Sequence, residues 1–281
     1  MRVKTLVSPV VKWVGGKRQL LQTFAPLLPQ KTTPYYEPFL GGGAMLFYLQ
    51  PRTAFVNDIN QDLMEVYATV KGHVEDLIKE LETYQNTPEF FYEIRDLDRN
   101  RKAYQSLTDV KKAARILYLN KTCFNGLYRV NNAGEFNAPF GYYRNPNIVN
   151  APVLRAVSAY FNAAKVQFSS VDYEEALQNT RKGAFVYLDP PYDPVSNTSS
   201  FTGYTRGGFS KEDQIRLRQC CDDLHRRGVK FLLSNSSTEF IWKLYGDNPA
   251  YHIVTVQAKR AVNSVGNRRG DIDEVVIRNY E

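Results

Sequence analysis

The chain has 281 residues, 43 % of them hydrophobic, with a formal net charge of +7, which suits one large domain or one domain with an insert around a sizeable core. No run of 18 or more apolar residues occurs, and the amino terminus lacks the basic, apolar, small-residue order of a signal peptide, so a membrane span is excluded and a cytoplasmic protein expected. The three cysteines (Cys123, Cys220, Cys221) form no CxxC pair and the three histidines (His73, His225, His252) stand in no nucleophile context, which argues against a disulfide framework, a metal site and a hydrolase triad.

In chain order, "WVGGKRQLL" (13–21) sets two glycines before a helical pattern over 16–28. Lys17 there could reach an acidic ligand or sit in solvent, and Trp13 could be core. A strand over 35–39 then runs through "YYEPFLGGG" into a helix over 43–50. Glycines at 41, 42 and 43 permit a tight turn and let backbone N–H groups approach a ligand. A plain strand-to-helix turn and a nucleotide-like ligand both satisfy this pattern. The next strand, 53–57, ends at Asp58 in "VNDIN", where an acid holds ribose hydroxyls in dinucleotide-type folds or simply caps the following helix.

About a hundred residues of helical periodicity follow with no clear strand, far beyond the usual connection of about 2 to 6 residues. Residues 59–151 therefore read as an inserted helical subdomain that packs with the sheet as one compact unit. Its charge is uneven: 59–98 hold three basic side chains against ten acids, whereas 99–151 hold nine against two. A second basic cluster, Lys259, Arg260, Arg268 and Arg269, lies near the carboxyl end. Basic clusters interleaved with Asn, Gly and aromatics point to nucleic acid as partner.

After the insert come a helix over 151–164 and strands over 165–169 and 184–188. A helix over 210–227, capped by Ser210 and closed by Gly228, leads to a strand over 229–234. A helix over 237–245 and strands over 251–256 and 274–279 complete the chain, the last two expected as an antiparallel hairpin at or near a sheet edge. The alternation predicts an α/β fold with a doubly wound, mostly parallel sheet and ligands at the carboxyl ends of its strands.

The strand 184–188, "AFVYL", reads as buried on both faces and delivers Asp189 of "DPPY" to that edge. Pro190 and Pro191 fix two φ angles and give no N–H donors, leaving rigid carbonyl acceptors beside the flat Tyr192 ring. An acceptor carboxylate, a fixed carbonyl and an aromatic plate suit a planar ligand with an exocyclic amino group; a structural turn at the strand end is the alternative. Asp193 and Pro194 find no role at this level.

The motifs "KWVGGKRQLL", "FLGGG", "VNDIN", "FNGLYRVN…GEFNAPFG", "DPPY" and "LSNSS" follow in the order found in Dam-type DNA adenine-N6 methyltransferases of the D12 class, and the chain resembles them from about residue 10 onward. The resemblance implies a Rossmann-like seven-stranded sheet, with residues 1–58 and 152–281 forming the catalytic domain and 59–151 a target-recognition insert. It implies S-adenosyl-L-methionine as methyl donor, with Trp13, Lys17, Phe39, Gly41, Gly43, Asp58, Asp172, Tyr173 and Asp189 lining its site. It implies double-stranded DNA as substrate, methylated on adenine N6, with GATC as the expected site. Asp189, Pro190 and Tyr192 would be catalytic. Lys12, Phe124, Asn125, Leu127, Arg129, Asn131, Pro139 and Tyr143 would meet DNA. The enzyme would act as a monomer without a metal, and a restriction endonuclease could accompany it. Competing readings are a DNA-binding protein without turnover and methylation of RNA or a glutamine amide, the last more often carrying NPPY. One departure stands out: after "PFG" the family usually has Arg-Tyr-Lys, whereas Tyr142, Tyr143 and Arg144 stand here.

Overall fold

The computed structural model describes residues 6–13, 15–17, 20–195, 208–259 and 271–281. All seven expected strands form: β1 (Tyr35–Glu37), β2 (Thr53–Asn57), β3 (Lys165–Ser169), β4 (Phe185–Leu188), β5 (Lys230–Ser236), β6 (His252–Lys259) and β7 (Asp271–Arg278). They make one sheet in the order β3-β2-β1-β4-β5-β7-β6. The first five are parallel. β7 runs antiparallel between β5 and β6, so the expected hairpin closes one edge. The order reverses between β1 and β4, and in such sheets the crevice at the carboxyl ends of those two strands is where ligands bind.

Around the strands lie α1 (Leu21–Phe24), α2 (Ala44–Leu49), α3 (Gln61–Gly72), α4 (Val74–Glu82), α5 (Pro88–Asp96), α6 (Arg101–Gln105), α7 (Asp109–Thr122), α8 (Ala151–Ala163), α9 (Tyr173–Leu177), α10 (Lys211–Arg226) and α11 (Glu239–Tyr245). Ser210 does cap α10, in a reciprocal capping box with Asp213. Gly228 follows it in the left-handed region at φ 69°.

Three expectations are corrected. The helix expected over 16–28 is only α1 followed by a 3-10 turn over 25–27, because Pro26 can neither donate an N–H nor continue the α1 ladder. β1 stops at Glu37 rather than 39, since Pro38 cannot donate to the sheet. The short helix α9, not expected at all, is opened by Asp172, whose carboxylate accepts from Glu174 N at 2.9 Å.

Side chains of β4 alternate between two buried layers. Phe185 and Tyr187 join the layer under α3, α7 and α8, with Tyr67, Leu117, Tyr118 and Phe161. Val186 and Leu188 join the layer under α10 and α11, with Leu217, Leu224, Ile241 and Tyr245. The first layer runs without a break into helices between β2 and β3, so α3, α4, α5, α7 and the sheet share one core.

Candidate active site

β4 ends at Leu188, and Asp189 follows at the carboxyl edge with its side chain 20 % exposed. Burial pushes its carboxyl up, against the opposing pull of the Lys17 ammonium and the Ser234 hydroxyl. Ser234 Oγ donates to Asp189 Oδ1 at 3.0 Å, and Lys17 Nζ stands 3.4 Å from the same oxygen. Lys17 is not in solvent: its side chain is 8 % exposed, with Nζ 4.1 Å from the centroid of the Tyr192 ring. Glu274, from β7, completes the group. Its Oε2 accepts from Tyr192 Oη at 2.8 Å and lies 3.7 Å from Lys17 Nζ. Burial raises the Glu274 carboxyl too, against Lys17 and Tyr192.

The "DPPYD" loop is held from behind by β5 and α10. Gln214, 1 % exposed, donates Nε2 to the Pro191 carbonyl at 3.0 Å and accepts from Asn235 Nδ2 at 3.0 Å. The expectation of outward carbonyls is therefore corrected at Pro191, because a buried amide satisfies that oxygen within the fold. Asp193, unassigned in the sequence, is the loop's anchor. Its N–H donates to Asn235 Oδ1 at 3.1 Å, and its carbonyl accepts from Ser236 Oγ at 2.6 Å. Its carboxylate accepts from Thr238 Oγ1 at 2.7 Å. The "LSNSS" stretch thus clamps both ends of the loop; the sequence marked it only as a motif, without roles for Ser234, Asn235 and Ser236, and did not single out Gln214.

At the ends of β1 and β2, Gly41 has φ +48° and Gly43 φ +67°. A Cβ on Gly41 would fall 2.9 Å from Trp13 Cδ1, and one on Gly43 3.0 Å from Phe47 Cε2, so both turns require glycine. Asp58 Oδ2 accepts from Gly41 N at 2.8 Å and Oδ1 from Asn60 N at 2.9 Å. Burial raises this carboxyl against those two N–H groups. Asp58 is not the cap of α3; Asn60 is, accepting from Leu63 N at 3.0 Å. Asn57, 2 % exposed, ties three loops together, donating to Pro38 O at 3.1 Å and Val171 O at 3.0 Å and accepting from Val171 N at 3.0 Å.

Phe39, Tyr173 and Phe209 form an aromatic group beside this turn, with centroids 5.2 Å apart for Phe39–Tyr173 and 6.1 Å for Phe39–Phe209. The Tyr173 hydroxyl is buried with no hydrogen-bond partner among the described residues. Asp172 is committed on both oxygens, to the α9 cap and to Arg216 Nη2 at 2.9 Å.

The irregular segment after α7 forms a second surface. Phe124 is 56 % exposed, Tyr142 75 % and Tyr143 41 %. Phe124 N donates to Pro139 O at 2.8 Å and Gly141 N to Thr122 O at 2.8 Å, pairing the two edges of this turn around the exposed Pro139. Asn125 and Gly126 are left-handed, at φ 60° and 64°. Asn120 holds the turn to Lys12, accepting from Lys12 N at 2.7 Å and donating to Lys12 O at 2.8 Å and Gly126 O at 3.1 Å. Lys12 Nζ in turn donates to the Asn125 carbonyl. Trp13, next along, stacks on Tyr128 at 5.1 Å and lies against Gly41, so residues 12 and 13 couple the outer turn to the glycine turn.

Arg129 is exposed, with Nε donating to Asn137 Oδ1 at 2.8 Å. Leu127 is half-buried, its carbonyl accepting from Cys123 Sγ at 3.6 Å. Asn131 closes the 131–135 turn, accepting from Ala133 N at 2.9 Å and donating to Glu135 Oε2 at 2.8 Å. Beneath lies a polar node absent from the sequence reading. Arg115, 3 % exposed, meets Asp98 Oδ2 at 2.7 Å, and that oxygen also accepts from Phe136 N at 2.7 Å. Arg99 adds Asp98 Oδ1 at 2.7 Å and the Phe136 carbonyl at 2.7 Å.

Burial pushes the Cys123 thiol up to about 11 and the Cys220 thiol up to about 12, so neither is a ready nucleophile at neutral pH. Among the described residues no helix is long and apolar enough to cross a membrane, and no three His, Cys, Asp or Glu side chains could hold a metal. The basic cluster at 260, 268 and 269 lies outside the described residues, as does the side chain of Lys259.

The family model described as D12 class N6 adenine-specific DNA methyltransferase matches residues 13–262. The type II methyltransferase M1.LlaDCHI of Lactococcus lactis subsp. cremoris is 42% identical over 279 residues, covering 99% of this chain and 97% of that protein. The type II methyltransferase M.MjaIII of Methanocaldococcus jannaschii is 42% identical, with 98% and 99% covered. The DNA adenine methylase of Escherichia coli K12 is 32% identical, with 95% and 93% covered. A strand order with an antiparallel seventh strand, an Asp-Pro-Pro-Tyr loop at the switch point and matches of this extent agree: the chain belongs to the D12 class of N6 adenine-specific DNA methyltransferases and is an enzyme of that activity.

Proposed function

We propose that the chain transfers a methyl group from S-adenosyl-L-methionine to N6 of an adenine swung out of duplex DNA, in the sequence GATC. The observation that carries this reading is the Asp189 carboxylate, held by Ser234 at the carboxyl end of β4 beside the Tyr192 ring. An adenine amino group inside a duplex cannot meet a methyl donor, so the base must leave the stack. Asp189 and the Pro190 carbonyl would accept its two N–H bonds, localising electron density on N6, while Tyr192 stacks on the ring. The nitrogen would take the methyl directly as the S–CH3 bond breaks, leaving a neutral thioether, and would give up one proton to solvent; no covalent enzyme intermediate would be needed. The chain contributes placement and charge stabilisation.

The residues at the β1 and β2 ends fit the cofactor. Glycine-only turns at 41 and 43 leave room for close backbone approach, Asp58 keeps lone pairs for ribose hydroxyls beyond its two N–H bonds, and Tyr173 sits in an aromatic group with Phe39. Trp13, Lys17, Phe39, Asp172 and Asp189 would complete the lining. When bound, S-adenosyl-L-methionine supplies an electrophilic methyl on its sulfonium.

Residues 59–151 would form the target-recognition part. Arg129 would read a guanine through a bidentate bond in the major groove, Phe124 would wedge into the duplex, and Pro139 would touch a thymine methyl. Lys12, Asn125, Leu127, Asn131 and Tyr143 would complete this face. GATC is supported by the motif likeness to Dam-type enzymes and by a relative named DNA adenine methylase.

Incubation with duplex DNA and radiolabelled methyl donor is expected to label adenine N6. Label on cytosine N4, or none, would sink the assignment. Sequencing of methylated adenines in DNA from expressing cells tests GATC, and a different shared site would replace it.

A further inference from the structure

Lys17 occupies the place an amino group would take. Its ammonium lies 3.4 Å from Asp189 Oδ1 and 4.1 Å from the Tyr192 ring centroid. In the function proposed above, on which this inference rests, the adenine amino group donates to that carboxylate and its ring stacks on that tyrosine. An ammonium 4.1 Å over the Tyr192 ring lies where a stacked base would lie, so the base is seated only if Lys17 shifts. A buried ammonium that leaves one carboxylate must find another counter-ion, since an unpaired buried charge is strongly unfavourable.

Such a counter-ion is in place. Glu274 Oε2 is 3.7 Å from Lys17 Nζ, and the glutamate side chain is only 14 % exposed. Glu274 stands on β7 opposite Ser236 of β5, so the sheet fixes it independently of the "DPPY" loop. The same oxygen accepts the Tyr192 phenol at 2.8 Å. Two carboxylates therefore share one ammonium, which lies 3.4 Å from an oxygen of Asp189 and 3.7 Å from one of Glu274.

We propose that Glu274 is a positioning residue for methyl transfer: it takes the Lys17 ammonium from Asp189 when the target amino group is seated, leaving Asp189 an unshared acceptor for N6–H. No proton moves between Lys17 and Glu274. The ammonium changes partner, the charge of the group stays constant, and the acceptor strength of Asp189 rises as its cation leaves.

The test compares affinity for two duplexes, one with the target adenine and one with purine there, which lacks only the amino group. Wild-type protein is expected to favour adenine by at least about threefold. Glu274→Gln keeps the shape and an acceptor for Tyr192 but loses the charge; it is expected to bring the two affinities within about 1.5-fold. It should also lower kcat by about tenfold or more, with purine-duplex affinity unchanged. Adding Lys17→Met to Glu274→Gln removes the competitor, and the adenine preference should return even if turnover does not. A preference untouched by Glu274→Gln, or not restored in the double variant, overturns the proposal. If Glu274→Gln does not fold, Glu274→Ala takes its place on the same terms: a lost preference that Lys17→Met/Glu274→Ala restores supports the proposal, and a preference untouched in Glu274→Ala, or not restored in the double variant, overturns it. Wild-type protein that puts no label on adenine N6 removes the reading beneath; wild-type protein that methylates while the preference ignores Glu274 removes this inference alone.

Discussion

Ser234, in the centre of β5, donates its hydroxyl to Asp189 at 3.0 Å across the neighbouring strand β4. The bond favours the ionised carboxylate while burial disfavours it. Ser234→Ala therefore leaves Asp189 harder to ionise. The acid limb of the kcat profile is expected to move to higher pH, and kcat at neutral pH to fall about tenfold, in line with a hydrogen bond to a charged group. Methylation rates measured from acid to alkaline pH check this; an acid limb that stays in place refutes it.

Glu37 gives the opposite dependence for stability. It is 2 % exposed, and burial pushes its carboxyl well up, with Tyr35 Oη donating at 2.8 Å against this and the Asp189 charge adding to it. A carboxyl whose pKa is higher folded than unfolded binds more protons in the folded state. Its contribution to stability is full below the unfolded pKa and is lost as pH rises through the folded one. Glu37→Gln, which is close in shape to the protonated acid, is expected to melt like wild type near pH 4 and above it at pH 8. About 1 kcal/mol would move the midpoint of a chain this size by roughly 2 to 4 °C, so thermal melts at the two pH values resolve the effect.

Gly41→Ala tests the glycine turn. Alanine at φ +48° is strained, and its Cβ would fall 2.9 Å from Trp13 Cδ1. A loss of about 1 to 3 kcal/mol in stability is expected, together with weaker binding of S-adenosyl-L-methionine by calorimetry. Unchanged cofactor affinity would show that the turn does not approach the ligand.

Arg129 and Asp98 should separate reading from support. Arg129→Ala removes an exposed side chain and is expected to leave the melting midpoint alone while discrimination at one base pair falls by about 1 to 3 kcal/mol. Asp98→Ala strips the buried Arg115 of its partner and is expected to destabilise the fold by about 3 to 5 kcal/mol. Methylation of a set of single-base site variants, paired with melts, checks both; equal stability for the two variants would refute the division.

Much of this enzyme is written in short-range pattern. β4 reads as a doubly buried strand because four apolar residues in a row can only be satisfied between two layers, and the structure places Phe185 and Val186 in different ones. Asp189 at its end, the glycines after β1 and the capping box at Ser210 follow from local backbone chemistry and were legible for that reason. The periodicity of the segment between β2 and β3 likewise announced helices, and α3 to α8 lie there. Where local rules compete, the sequence was less decisive. Asp58 and Asn60 are both good caps two positions apart, and only the approach of Gly41 N committed Asp58 to the turn and left the cap to Asn60.

What tertiary structure alone decided is who stands beside whom. Ser234, Gln214 and Glu274 carry no motif spacing relative to Asp189, because the contacts are made across strands and from a helix, tens of residues apart in the chain. Lys17 was undecided between solvent and ligand; burial against two carboxylates from different strands settled its place. The Arg115–Asp98 node was hidden for the same reason, since a charged residue in a helical pattern reads as surface until its partner is known. The sequence by itself thus determined the seven strands, most of the helices and the acceptor at the end of β4. The partners that set that acceptor's charge and orientation came from the packing of β5 and β7 on it, because electrostatics acts through space and not along the chain.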